Sequence, residues 1–174
     1  MEEHTTDLLG IPVPSDNTVF LSFVVIHIVL GLTCVISGVV AMVSNKTKGT
    51  HSKAGRLYYR GMTALFITVI ITSVMRWPHN IHLLIVGTFA YALTFIGQRL
   101  THTRKPNWTR LHTVCMGASY ILLITGFYVD NGKNLPFWNQ FSELFFWLFP
   151  SVIGIPIIIY AFFKHPLNKK HADE

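Results

Sequence analysis

Charged side chains, acidic ones above all, are scarce in this sequence. Only 13% of its 174 residues are charged, with 8 acidic residues against 14 Lys and Arg, whereas about a quarter of an average soluble domain is charged. Hydrophobic residues make up 51% of the chain, and long stretches carry no charge. This composition excludes an ordinary soluble domain and indicates a multi-pass membrane protein.

Cysteine is scarce as well, since Cys34 and Cys115 are the two in the chain and both lie inside apolar runs. Two buried cysteines exclude a disulfide framework. The sequence also lacks a nucleotide-binding glycine loop, a phosphate loop and a nucleophile triad. Contact with a membrane surface explains the net charge of +6, so a lipid bilayer is the expected partner and no nucleic acid is expected.

Five apolar segments dominate the sequence instead. They predict an all-α integral membrane bundle, one domain over 1–174, with spans at about 20–43, 57–75, 81–96, 111–129 and 144–163. The third segment is short and needs the polar residues at its ends to complete a crossing. Acidic residues precede the first segment and no cleavage-site pattern follows it, so we expect an anchor and not a signal peptide.

Basic residues cluster on one side of these spans. The loops 44–60 and 97–110 and the C-terminal tail hold 12 of the 14 Lys and Arg residues, and the opposite side keeps Arg76 and Lys133. By the positive-inside rule, we expect the N-terminus outside and the C-terminus in the cytoplasm. The expected location is therefore the cytoplasmic membrane of a cell.

Histidine is frequent, with 9 in the chain. The expected depth of each histidine in the membrane indicates whether it is a candidate for a functional role. His27 interrupts the first span roughly 12 Å below the surface, where an ionisable group is costly and often functional. Its helical face continues through Gly31, Cys34 and Gly38, which are small enough to admit another helix or a flat ligand. The alternative is a histidine that hydrogen-bonds a neighbouring helix.

His51 opens the second helix, for which Thr50 is the predicted N-cap. At 100° per residue, His51 shares one stripe with Gly55 and Tyr58. The face behind this stripe carries three cations, so we expect the cations to point at lipid headgroups and the stripe to point into the bundle. A plain loop histidine is the alternative for His51. The three cations are Lys53, Arg56 and Arg60.

Two further histidines begin spans. His82 opens the third span from the outer side, about 5 Å deep, and His112 opens the fourth from the inner side, on a stripe with Ser119. Spans one and three run in one direction and spans two and four in the other. The sequence therefore predicts two pairs, His27 with His82 near the outer face and His51 with His112 near the inner face.

Two inward imidazoles at matching depth can hold a b-type haem iron from both sides. We therefore predict a redox protein with haem b at both pairs, which passes electrons to or from quinol or another small carrier. Zinc is a weaker candidate, because it prefers four ligands close together. The alternatives are a non-redox transporter, sensor or assembly subunit, or a metal-binding membrane protein; enzymatic activity and homo-oligomer formation stay open. The predicted supporting residues are Gly31, Gly55, Tyr58 and Ser119.

The last span and the outer loop carry weaker signals. Pro150, Gly154 and Pro156 predict a kinked helix. Glu143 is interpreted as a solvated residue at the membrane interface, or alternatively as a quinol-site or proton-relay carboxylate. The loop 130–140 contains Asn-Gly and Pro and is typical of an ordered turn.

Three stretches carry a resemblance to a known family: HSKAGRLYYRGM at 51–62, LHTVCMGASYILLITGFYVDNGKNLP at 111–136 and WLFPSVIGIPIII at 147–159. They resemble a family of uncharacterised bacterial membrane proteins known as a domain of unknown function. The resemblance implies a bacterial multi-pass protein. In arrangement alone, the chain is also similar to the small bacterial transmembrane cytochromes b, four-helix proteins in which histidine pairs hold haems.

Overall fold

Five helices make up most of the computed structural model, which describes residues 6–8, 11–13, 18–46, 49–103 and 106–164. A short antiparallel hairpin precedes the helices, with strands β1 (Thr6–Leu8) and β2 (Ile11–Val13). The helices are α1 (Thr18–Val43), α2 (Thr50–Met75), α3 (Ile81–Thr103), α4 (Trp108–Asn131) and α5 (Glu143–Lys164), with a 3-10 turn at Gly132–Asn134 between the last two. All five are long and apolar enough to cross a membrane. The predicted all-α membrane bundle is therefore confirmed.

Each predicted span lies within one of these helices, and two helices extend well beyond the apolar run. α3 continues past residue 96 to Thr103, so polar residues complete the third crossing as expected. α2 already begins at Thr50. The prediction that Thr50 caps α2 was wrong: the N-cap is Gly49, at a φ of 77°, a left-handed conformation that glycine adopts without strain.

The helices pack as two antiparallel hairpins with a fifth helix alongside. α1 packs against α2, α3 against α4, and α5 against α4, while α2 also contacts α3. Gly117 of α4 and Gly154 of α5 face isoleucines of the opposite helix closely enough that an added Cβ would clash. Pro150 and Pro156 both lie inside the single helix α5, and the kink there stays a prediction. The buried core contains Cys34, Tyr58, Met62, Leu65 and Ala90.

Candidate functional site

His51 and His112 meet at one end of the bundle because their helices run in the same direction. His51 is the second residue of α2 and His112 the fifth of α4, and α3 runs back between these two helices. The centroids of the two imidazole rings are 6.3 Å apart, and the ring planes are inclined by 77°. The structure therefore brings this predicted pair together.

Each of these two rings is held through Nδ1 by a backbone carbonyl. His51 Nδ1 lies 2.8 Å from the Ala41 carbonyl oxygen, and His112 Nδ1 lies 2.8 Å from that of Gly97. A carbonyl can only accept a hydrogen bond, so Nδ1 carries the proton of each neutral ring and Nε2 carries the lone pair. Metal-ligating histidines nearly always have one nitrogen fixed in this way.

Both carbonyls are accessible for local reasons. Ala41 lies in the last turn of α1, where a carbonyl lacks a helical N–H partner. Gly97 lies where α3 and α4 approach closely, since a Cβ at this position would meet Met116 Sδ at 2.8 Å. The missing side chain lets the α4 backbone come near enough for His112 to reach back to α3.

Lys46 lies beside this pair, in the turn after α1. Its Nζ donates to the carbonyls of Ala41 at 2.9 Å and Met42 at 3.1 Å, which stabilises the C-terminal end of α1. The same atom lies 3.3 Å from His51 Nδ1. Burial lowers the pKa of Lys46 from its ordinary value. Lys46 and His51 thus share the Ala41 carbonyl and fix the α1–α2 connection.

Two helical glycines leave open space, and each lies one turn after a histidine. A Cβ added at Gly31, four residues after His27, or at Gly55, four residues after His51, would meet nothing within 4 Å. Both glycines lie on inward stripes, since Cys34 and Tyr58, three residues further along, are buried. Each histidine therefore has unfilled space beside its helix one turn further along, next to a half-buried glycine.

His27 contacts a neighbouring helix. Its Nδ1 lies 2.9 Å from the Thr68 hydroxyl on α2, and Thr68 donates its own proton to the Leu65 carbonyl at 2.6 Å. The Thr68 oxygen therefore accepts from His27, so Nδ1 again carries the proton and Nε2 the lone pair. This contact agrees with the alternative interpretation of His27, a histidine that hydrogen-bonds a neighbouring helix. It also fixes the ring through Nδ1, as in histidines that bind a metal through Nε2.

His82 lies in the first turn of α3, a few residues after Arg76, whose guanidinium lies 5.6 Å from the centre of the Phe20 ring. The hydrogen-bond partner of His27 is Thr68 on α2, not His82. The pairing of His27 with His82 stays a prediction.

The outer loop is covered by aromatic side chains. Trp138 contacts Tyr128, Phe145 and Phe149, with ring centroids 5.1–5.9 Å apart, and Lys133 donates to the Phe141 carbonyl at 2.7 Å. Glu143 is exposed at the first residue of α5, where the positive end of the helix dipole favours a carboxylate. The loop therefore closes this end of α4 and α5.

Several groups of the site have no clear signal in the sequence. In the sequence, Lys46 is one of several cations in the loop 44–60, and Thr68 is part of the apolar span 57–75. Every residue has a backbone carbonyl, so the sequence does not mark those of Ala41 and Gly97 as acceptors. Gly97, which directly follows the third apolar run, is the one residue type that suggests a close approach of two helices. Their roles depend on how the helices pack.

Comparisons with protein-family models, with curated proteins and with solved structures found no match. The resemblance to an uncharacterised bacterial family therefore stays a prediction. Among the residues that the structure describes, no group of three or more His, Cys, Asp or Glu side chains could hold a metal ion. The histidine pair is therefore the feature of this structure that bears most directly on function.

Proposed function

We propose that this membrane protein binds a b-type haem between His51 and His112 and transfers electrons between it and quinol or another small carrier. The distance between the two rings carries the proposal. With metal–nitrogen bonds of about 2.0 Å and a little over 1 Å from each nitrogen to its ring centre, two axial imidazoles have centroids about 6.2–6.4 Å apart. The rings of His51 and His112 are 6.3 Å apart.

The orientation of the rings supports the same proposal. Hydrogen bonds from Nδ1 to the Ala41 and Gly97 carbonyls put the lone pair on Nε2, and a lone pair on a ring nitrogen is what a metal binds. His51 and His112 would be the two ligands that the chain provides, because the porphyrin of a bound haem would supply the others. A two-histidine site is therefore sufficient for haem, although it is too small for a structural zinc ion.

Two features beside the pair support the same proposal. Gly55 leaves open space one turn beyond His51, and α2 and α4 approach through long side chains. Lys46 lies at the site. A bound haem would supply one-electron transfer; His51 and His112 would hold and orient it, and the charge of Lys46 would offset that of its carboxylates.

The proposal of a redox function is tested by the visible spectrum of detergent-purified protein from haem-replete cells. We expect a reduced-minus-oxidised difference typical of b-type haem, and loss of the His51–His112 haem in both His51→Ala and His112→Ala. His102→Ala is the matched control, because His102 is exposed near the same end of the bundle. A colourless wild-type preparation, or full haem content in both variants, would overturn the proposal.

The outer pair extends this proposal to a second haem. His27 has an oriented ring and an opening at Gly31, which support ligand binding, and His82 is its proposed partner. Two haems per chain, reduced to one in His27→Ala, is the expected result. One haem per chain that survives in His27→Ala would confine the redox site to His51 and His112.

The alternative function is a non-redox membrane protein, such as a transporter, sensor or assembly subunit. A specific observation favours it: the hydrogen bonds of His27, His51 and His112 each link two helices, as purely structural histidines would. In that case His51→Ala would lower the stability of the protein in detergent, and the wild type would carry no pigment.

A further inference from the structure

A buried pair of hydroxyl groups lies two helical turns from the histidine pair. Tyr58 follows His51 by seven residues on α2, and Ser119 follows His112 by seven residues on α4. Seven residues advance a helix by about 10.5 Å and bring the side chain back to nearly the same face. Because α2 and α4 run parallel, the equal spacing places the two pairs at matching levels.

The hydrogen bond in this pair has a defined direction. Tyr58 Oη lies 3.0 Å from Ser119 Oγ, and Ser119 donates its own proton to the Met116 carbonyl at 2.8 Å. Ser119 must therefore accept from the Tyr58 hydroxyl. The two side chains are 2% and 0% exposed, so water does not compete for this bond and its loss would leave a buried polar group unsatisfied.

This bond links two helices that are diagonal neighbours. α2 packs mainly against α1, and α4 mainly against α3 and α5, so α2 and α4 meet through side chains that reach across the bundle. Besides the histidine rings, Tyr58 and Tyr120 make such a contact, with ring centroids 6.3 Å apart. The Tyr58–Ser119 bond therefore fixes a helix pair that backbone packing holds only weakly.

We propose that Tyr58 and Ser119 are positioning residues for the iron site, because their hydrogen bond sets the rotation and register of α2 against α4 and thereby the distance between the rings of His51 and His112. This inference rests on the proposed function. Metal–ligand distances tolerate about 0.2 Å. A 10° rotation of a helix moves a group about 7 Å from its axis by about 1 Å, so the ligand geometry depends on this register.

The test compares Tyr58→Phe and Ser119→Ala with the wild type. Phenylalanine keeps the ring and the packing volume and removes the hydroxyl, and alanine removes the acceptor. In both variants we expect haem to be bound, with part of the low-spin signal of two axial imidazoles lost in electron paramagnetic resonance. Transfer of the haem to an excess of a haem-free acceptor protein should be about two- to tenfold faster.

Two further variants make the result specific. Tyr59→Phe, at the next residue of α2, should leave both readouts unchanged, because Tyr59 interacts with Tyr91 of α3. The double variant Tyr58→Phe/Ser119→Ala should be no worse than Tyr58→Phe alone, since Tyr58→Phe already removes the Tyr58–Ser119 bond. Helical content by circular dichroism verifies folding, and Ser119→Ala alone decides if the Phe variant does not fold.

The outcomes separate this inference from the proposed function. Wild-type protein without haem would overturn both. Wild-type protein with haem, together with wild-type spectra and haem transfer rates in Tyr58→Phe and Ser119→Ala, would overturn the positioning role alone. Equal changes in Tyr59→Phe would also overturn it, because any loss of a tyrosine hydroxyl from α2 would then have the same effect.

Discussion

The surroundings of His51 and His27 look alike in sequence and differ in three dimensions. Each histidine precedes a glycine by four residues, each glycine leaves open space, and each ring carries its proton on Nδ1. A second imidazole lies opposite His51, with its centre 6.3 Å away. His27 instead contacts the Thr68 hydroxyl. The local pattern that both sites share therefore orients one imidazole for metal binding, but it does not supply the second imidazole.

The difference follows from how the four central helices are arranged. Side chains of α2 and α4 meet directly across the centre, at Tyr58 and Ser119. Cys34 of α1 and Ala90 of α3 belong to the same buried cluster as Tyr58, so α1 and α3 both border this contact. The diagonal between α2 and α4 is therefore the one that side chains span at the centre. A ligand pair is easiest to form along that diagonal.

The largest effect on this comparison would come from the orientation of the chain in the membrane, because the orientation decides whether the His51 site or the His27 site is nearer the cytoplasm. We propose that the N-terminus is outside and the C-terminus in the cytoplasm, since Lys46, Lys53 and Arg56 lie at the His51 end. A reporter enzyme that is active only in the cytoplasm, fused after Glu174, should be active. Fusion in the loop 132–142 should give an inactive reporter, and the reverse result would place His51 at the outer face.

The next effect in size concerns the openings beside the two histidines. Gly55→Leu should fill the space next to His51 and lower haem affinity by about tenfold or more, since overpacking costs about 1–3 kcal/mol. Leucine is also a better helix former than glycine, by up to about 1 kcal/mol, so α2 should still form. Haem content per chain and thermal stability in detergent are the two measurements.

Gly31→Leu is the matched variant at the other opening. It should leave the haem of His51 and His112 in place and remove any second haem. Equal loss of the His51–His112 haem in both glycine variants would contradict the separation of the two openings. No change in Gly55→Leu would show that the space beside Gly55 is not where the flat group lies.

The sequence predicted the helices well and the contacts between them less well. The length of each uncharged apolar run determines a membrane crossing, so all five spans were found, and the His51 stripe reaches inward as the helical period predicted. The capping residue was misplaced by one, because glycine at Gly49 can adopt the left-handed conformation. The roles of Lys46 and Thr68 depend on the rotation of α1 against α2, which no pattern within a single helix determines.

The smallest expected effect concerns the Thr68 hydroxyl, which distinguishes the His27 site from the His51 site. Thr68→Val keeps the shape of the side chain and leaves the Nδ1 proton of His27 without its acceptor. Interhelical hydrogen bonds in membranes contribute about 0.6 kcal/mol on average and about 1.7 kcal/mol at most, so we expect the free energy of unfolding in detergent to fall within that range. Thr63→Val is the control, since Thr63 bonds only the Tyr59 carbonyl of its own helix among the described contacts. The spectrum of the His51–His112 haem should be the same in both variants. A changed spectrum in Thr68→Val alone would mean that the two sites are coupled through α2. Equal stability of the two variants would mean that the His27–Thr68 bond contributes nothing to the stability of the fold.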